Sequence, residues 1–387
     1  MLSRGAEAGI SAARHRATPD PAPILGLPER IARLPDAART RAERIFEVDP
    51  VAPVTDPPPS MEQWITAHFG SVSAVRDQQV LRVANRISLA SAVFAPLRAQ
   101  RPIDGMQSTG PSLDDERTTP DDDPFCRPLE GTPANAFGRI RGRHTVTGAN
   151  AAAGAAHHGV IVFDRHDPLA FDDELVADVL RVGRDWADAA RGTDPTAASY
   201  LLLWNCLWRA GGSIVHGHAQ VMLDRGRHHG ELERLRRDAA AYRAVHDASY
   251  LDDLVAVHRD LGLALGFGGV DVLASLTPAK EREVMLVGRN GEDERSPAFS
   301  AAVARALCAY RDALGVRAFN LVLLRPPLGA DGDGEWRDLR PVVRLVDRGD
   351  PASRTSDVGA TELLAGTVLL GGDPYETIAA LREPPRS

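Results

Sequence analysis

The order of apolar segments constrains this chain most. Residues 159–163 form a short apolar run that reads as a strand and stops at Asp164-Arg165-His166-Asp167-Pro168. Asp172 then caps a helix expected to run to about Arg191, with Leu175, Val179, Trp186 and Ala190 near helical spacing on one face. Residues 200–204 and, after a Gly-Gly turn, 213–223 read as two more strands. The same grammar returns downstream. Residues 271–276 and 283–287 read as strands, 301–314 as a helix and 319–324 as a strand. Asp373-Pro374-Tyr375-Glu376 opens a last helix with a capping residue, a first-turn proline and an acid in the third position. Strand, strand, helix, strand, stated twice, implies an α+β chain of two related halves.

With 387 residues the chain is too long for one ordinary core and fits two domains. The expected division is an N-terminal extension over 1–77, partly disordered or helical, then halves over 78–230 and 231–387. Residues 1–22, rich in Ala, Arg, Gly and Pro, read as a loose tail. Residues 28–46 and 61–75 read as helices, whereas the five prolines of 50–59 argue against regular structure there. The acidic, proline-punctuated stretch 104–133 reads as a long surface loop. A net charge of −8 argues against a general nucleic-acid binder but allows a local positive patch for a nucleotide. Three cysteines, Cys126, Cys206 and Cys308, make no disulfide framework and suit a reducing compartment. The N-terminus shows no signal-peptide core and no apolar run reaches membrane-spanning length, so a cytoplasmic protein is expected.

The chemistry concentrates in Ala210-Gly211-Gly212-Ser213-Ile214-Val215-His216-Gly217-His218-Ala219-Gln220-Val221. On a strand, His216, His218 and Gln220 fall on one parity and face one side, which suits a cleft better than a core. A neutral imidazole attacks phosphorus well and later leaves it, provided an acceptor holds its far nitrogen. Gln220 can donate to a phosphoryl oxygen, and Gly211, Gly212 and Ser213 can offer backbone N–H groups and a hydroxyl. Two other readings stay open: packed strand histidines, and a His-x-His metal pair that needs further ligands from elsewhere.

This segment resembles the active-site signature of the galactose-1-phosphate uridylyltransferase branch of the histidine-triad superfamily, which also holds diadenosine tetraphosphate phosphorylases and ADP-glucose phosphorylases. Other segments are similar to the same family. They are Ala95-Pro96-Leu97-Arg98-Ala99-Gln100-Arg101-Pro102; Asp123-Pro124-Phe125-Cys126 with Thr132-Pro133, beside the family's zinc loop; Asn135-Ala136-Phe137; and residues 158–163 followed by His166. Late segments 320–328 and 361–382 follow the family's last strand and terminal helix. The resemblance covers about 78–384 and leaves 1–77 outside.

The resemblance implies two tandem histidine-triad-like halves, each an antiparallel sheet with flanking helices. It implies His218 as nucleophile, Gln220 as donor to the bound phosphoryl group, Ser213 as a phosphate contact and His216 in a structural or metal role. Asn135, Arg98, Gly211 and Gly212 would lie near the nucleotide. At most one zinc ion is implied, on Asp123, Cys126, His166 and His216, with an aspartate where the family has its first cysteine. A second metal site of some members has Leu321 and Leu323 in place of its histidines and is absent. The implied activity is ping-pong transfer of a nucleoside monophosphate from a nucleotide or nucleotide sugar to a phosphate acceptor. A phosphorylase, or a silent nucleotide-binding protein, are the rivals. No nucleic acid or membrane partner is expected, and a homodimer is one option for assembly. His228 and His229 read as a solvated loop, His246 and His258 as surface or helix-packing residues, and Cys206 and Cys308 as core.

Overall fold

Residues 23–100, 123–226, 229–289, 291–330, 334–353 and 355–383 are described by the computed structural model. The expected tail over 1–22 and most of the expected 104–133 loop lie outside them. The first half contributes strands β4 (Thr145–Ala149), β5 (His157–Phe163), β6 (Ala197–Cys206) and β7 (His218–Arg225), with the helix Asp173–Thr193 between β5 and β6. The second contributes β8 (Ala264–Phe267), β9 (Val270–Ala274), β10 (Val284–Gly288), β11 (Phe319–Leu324) and β12 (Val342–Asp347), with the helix Pro297–Asp312 between β10 and β11. The strand–helix order of both halves is therefore as the apolar runs imply.

The two halves share one nine-stranded sheet in the order β4-β5-β7-β6-β11-β12-β10-β9-β8. Every pairing in it is antiparallel. The seam between the halves is the β6–β11 pair, where Asn205 lies opposite Asn320 and Leu203 opposite Val322. Alternation along the strands gives the sheet two unlike faces. One carries Ile161, Phe163, Leu202, Trp204, Val221, Leu321 and Leu323, all nearly inaccessible to solvent. Trp204 sits edge-on to Phe163, Phe171 and Phe319 there. Leu175, Val179, Trp186 and Ala190 of the helix Asp173–Thr193 are buried as expected. Its cap is Asp172, whose Oδ1 accepts from the Leu175 N–H at 2.9 Å. The opposite face carries His158, His218, Gln220, Leu203, Asn205, Asn320 and Arg344.

A second sheet, in the order β1-β2-β3-β13, joins both ends of the described chain. It comprises β1 (Phe46–Val51), β2 (Val80–Asn85), β3 (Ser91–Phe94) and β13 (Thr367–Leu370), the last parallel to β3. Two readings change here. The expected helix over 28–46 is two helices, Leu27–Ala32 and Asp36–Ile45, broken before Asp36 where Pro35 stands, and residue 46 already begins β1. Residues 61–75 likewise divide into Glu62–Phe69 and Val72–Arg76 at Gly70, whose φ is +83°. Pro50 is inside β1, contrary to the expectation from the proline run. It is tolerated because β1 is an edge strand, where the missing N–H interrupts no second ladder. Ile24 and Leu27 are fully buried, and the Ile24 N–H donates to Asp373 Oδ2 at 3.0 Å, tying this segment to the cap of the helix Pro374–Arg382.

Candidate active site and metal cluster

The chain between β6 and β7 builds the site. Leu207 opens it with φ 68° and ψ 170°, a backbone conformation nearly reserved for glycine, which costs on the order of 1–3 kcal/mol. A short 3-10 turn, Trp208–Ala210, follows, and Gly211 with φ +89° reverses the chain as the local left-handed conformation requires. β7 begins only at His218, so the expected strand over 213–223 is shorter, and residues 213–217 are loop. The ladder ends at Gly217, which still meets Phe163 in register but gives its own N–H to a carbonyl beyond the end of β5. Gly217 N–H donates to the His166 carbonyl and Phe163 N–H donates to the Gly217 carbonyl, both at 3.0 Å. A β-carbon on Gly217 would stand 2.6 Å from the Phe163 ring, so only glycine fits.

His216 and His218 are both buried, yet they serve different neighbourhoods. His216 Nε2–H donates to the Phe163 carbonyl at 2.9 Å, which aims Nδ1 the other way. There it meets Cys126 Sγ at 3.7 Å and Asp123 Oδ1 at 3.9 Å. His166 Nδ1 lies 3.6 Å from the same sulfur and 3.8 Å from Asp123 Oδ2. The four expected metal-site residues are thus together, with all ligand atoms within 4.8 Å of one another. Bond lengths of zinc to S, N and O imply ligand-to-ligand edges of about 3.4–3.6 Å in a tetrahedron, close to the spacing found. Asp123 is itself oriented, since its Oδ1 accepts from the N–H groups of Phe125 at 2.7 Å and Cys126 at 3.1 Å. Leu321 and Leu323, the positions of the absent second site, are buried on the helix-covered face.

His218 faces the other side of the sheet, edge-on to Phe125 with ring centroids 5.0 Å apart. Its Nδ1–H donates to the His216 carbonyl at 2.8 Å, so Nε2 keeps its lone pair. Burial is the main influence on both rings and pushes both imidazole pKa values below the ordinary value, against the raising effect of their bonds to carbonyls. Both are therefore neutral near pH 7. Gln220, two residues along β7, has its Oε1 3.0 Å from His158 Nε2.

Two residues on this face are absent from the sequence reading of the site. His158, noted only as part of a motif, is buried on β5 beside Gln220. Asn205 is on β6. Leu203 pairs with Gln220, so Asn205, two residues away on the same face, stands level with His218. Its only signal in the sequence is a polar residue in an apolar strand, Trp204-Asn205-Cys206. Of the other expected residues, Asn135 has its Oδ1 committed to Trp186 Nε1 at 2.9 Å. Arg98 is exposed on the turn after β3, in the other sheet. Gly211, Gly212 and Ser213 lie in the turn ahead of His216, and Gly212 N–H donates to the Leu207 carbonyl at 2.9 Å. His258 is fully buried in the helix Tyr250–Asp260, the helix-packing option of the two expected for it, and His229 is half-buried at the cap of the helix Gly230–His246 rather than solvated. His228 lies outside the described residues. Cys206 and Cys308 are core, as expected. No helix among the described residues is long and apolar enough to cross a membrane.

No family model and no curated protein sequence matches the chain. Solved structures do. An ADP-glucose phosphorylase from Arabidopsis thaliana, determined with bound ADP-glucose, superposes with a TM-score of 0.59 at 14% identity, over 77% of this chain and 96% of that one. A GalT-like protein from the same plant gives 0.55 at 13% identity, over 67% and 91%. A uridylyltransferase gives 0.54 at 16% identity, over 70% and 93%. At such identities the likeness is one of fold, and the chain shares the two-half α+β fold of these proteins.

Proposed function

We propose that this protein is a nucleotidylyltransferase that passes a nucleoside monophosphate from a nucleotide or nucleotide sugar to a phosphate acceptor through a covalent intermediate on His218. One observation carries the reading: the Nδ1–H of a buried, neutral His218 is held by a carbonyl, so its Nε2 is the nucleophile. In the first step the Nε2 lone pair forms a bond to the α-phosphorus. The bond from that phosphorus to the bridging oxygen breaks, and the leaving phosphate takes the electron pair. In the second, an oxygen of the acceptor phosphate attacks, the P–N bond breaks and its electrons return to Nε2. The proton stays on Nδ1, hydrogen-bonded to the His216 carbonyl throughout, so no general base is consumed. The acceptor is a sugar 1-phosphate or inorganic phosphate, the two chemistries named for the solved relatives of this fold being phosphorolysis and uridylyl transfer. Gln220, two residues along β7 on the face of His218, and the Ser213 hydroxyl are the donors left for the phosphoryl oxygens, since the N–H groups of Gly211 and Gly212 are given to the Trp208 and Leu207 carbonyls.

Zinc is the metal that one thiolate, two imidazoles and a carboxylate fit best. It would be held by Asp123, Cys126, His166 and His216, where it would fix the loop that carries the His216 carbonyl. The transfer itself needs only the side chains named above. The test is intact-mass spectrometry after incubation with UDP-sugars, ADP-sugars and dinucleoside polyphosphates. A gain of one nucleoside monophosphate on the wild type, and none on His218→Gly, is expected. Full labelling of that variant would overturn the reading.

A further inference from the structure

Two carboxamides flank His218, and an amide can turn either its oxygen or its NH2 toward a ligand. For a phosphoryl group the choice is decisive, because only the NH2 is attractive. Both choices are forced by groups that can act in only one sense.

The first chain of bonds starts in the second half. Arg348 has no acceptor and is held by Asp357 through two bonds, at 2.6 and 3.1 Å. It donates from Nη1 to Asn320 Oδ1. The Asn320 Nδ2 must then point across the seam, where it donates to the Ala210 carbonyl at 2.8 Å and to Asn205 Oδ1 at 2.6 Å. A carbonyl can only accept, so the orientation of Asn320 is fixed twice over. With its oxygen turned toward β11, the Nδ2 of Asn205 is left for the β7 side, where His218 stands. The second chain starts in the first half. Gly154 N–H donates to His158 Nδ1 at 3.0 Å, so the neutral ring carries its proton on Nε2. That proton goes to Gln220 Oε1 at 3.0 Å, and the Gln220 NH2 faces the cleft. The 3.3 Å approach of Asn150 Nδ2 to the same Nε2 is then a contact between two donors, decided by the backbone N–H on the far side of the ring.

We propose that His158 and Asn320 are positioning residues that lock Gln220 and Asn205 as hydrogen-bond donors toward the phosphoryl oxygens, Asn320 doing so from the half of the molecule that carries no nucleophile. The inference rests on the reaction proposed above. It also assigns the second half a part in catalysis, since Asn320 secures both Asn205 and the Ala210 carbonyl at the root of the glycine turn.

The experiment is a double-mutant cycle on the rate of His218 nucleotidylation at saturating donor, with the thermal midpoint measured for each variant. Asn320→Asp keeps the shape but cannot donate, so Asn205 must turn its NH2 to the new carboxylate and its oxygen to the phosphate. The expected loss is about 100-fold in rate, with KM for the donor changed far less. In an Asn205→Ala background the same substitution should cost almost nothing, which a merely structural role would not produce. His158→Ala is expected to behave likewise against Gln220→Ala. Should Asn320→Asp fold poorly, Asn320→Leu removes the hold without adding charge, and its loss should also vanish once Asn205 is Ala. Labelling of Asn320→Asp at the wild-type rate, or losses that simply add in the double variants, would overturn the proposal while leaving His218 as the nucleophile. Absence of labelling on the wild type itself would overturn both.

Discussion

At the scale of single residues, the protonation pattern around His218 decides what the site can do. The His216 carbonyl accepts the hydrogen bond from Nδ1–H, and burial keeps the ring neutral. His218→Gly should abolish transfer yet leave a pocket in which added imidazole restores part of the rate. Gln220→Ala should slow the reaction about 100–1000-fold, the usual effect of losing one donor to a charged oxygen, about 2.7–4 kcal/mol. Single-turnover kinetics would show it, and an unchanged rate would exclude Gln220 from the chemistry. Cys126→Ser replaces a soft ligand by a hard one, so zinc content by elemental analysis should fall well below one per chain if the cluster holds that ion. Most of these residues were legible because they sit together in one short motif. His158 and Asn205 were not, since His158 is the second of two adjacent histidines at the start of a strand and Asn205 a lone polar residue among apolar neighbours, and only the register of β5, β7 and β6 places them beside Gln220 and His218.

At the scale of elements, the loop before β7 matters more than the strand. Alternation of polar and apolar residues over 213–223 reads as one strand, but the first five residues are loop, the last of them giving its N–H to the His166 carbonyl. Periodicity records the rhythm of side chains, and it is blind to where the backbone ladder ends. Nor does sequence reveal that Leu207 adopts a glycine-like conformation, because leucine is an unexpected residue there. Conversely, the helix caps were legible, since Asp172 and Asp373 act locally. Two substitutions separate the consequences. Gly217→Ala forces a methyl group against the Phe163 ring and should destabilise the fold by about 1–3 kcal/mol. It should also suppress labelling of His218, because the displaced loop carries His216 and leads directly into His218. Ser249→Ala removes the cap of the helix Tyr250–Asp260, which packs on β8 and β9 in the other half, and should cost about 1 kcal/mol by urea denaturation, with labelling unchanged. Equal effects of the two on labelling would contradict this division.

At the scale of the whole molecule, the twofold repeat of strands and helices was legible, whereas the fusion of the two sheets was not. Pairing between β6 and β11 joins segments more than a hundred residues apart, and nothing local in either strand names its partner. Acid stability should report on this packing through His258, which is buried between the helix Tyr250–Asp260 and the sheet. Its Nδ1–H donates to the Leu254 carbonyl at 2.8 Å, and its Nε2 accepts from Leu276 N–H at 3.3 Å. Burial lowers its pKa from the ordinary 6.5 to about 4. Above pH 6.5 neither the folded nor the unfolded form binds the proton, so the residue contributes nothing. As the pH falls from 6.5 toward 4, the unfolded chain is protonated first and stability declines, by about 3 kcal/mol in all. Denaturation of wild type and His258→Phe at pH 7.5 and 4.5 should show a smaller acid loss for the variant, and an equal loss would remove His258 as the cause. The seam itself has a further consequence. Each half ends on a strand whose hydrogen bonds are completed only by the other, so neither half is a finished unit. A fragment ending after β7 would expose the ladder of β6 along Leu201 and Leu203, and it should self-associate rather than remain monomeric. The intact chain should melt in a single calorimetric transition, because separating the halves would leave two sticky edges in water where one continuous ladder stood.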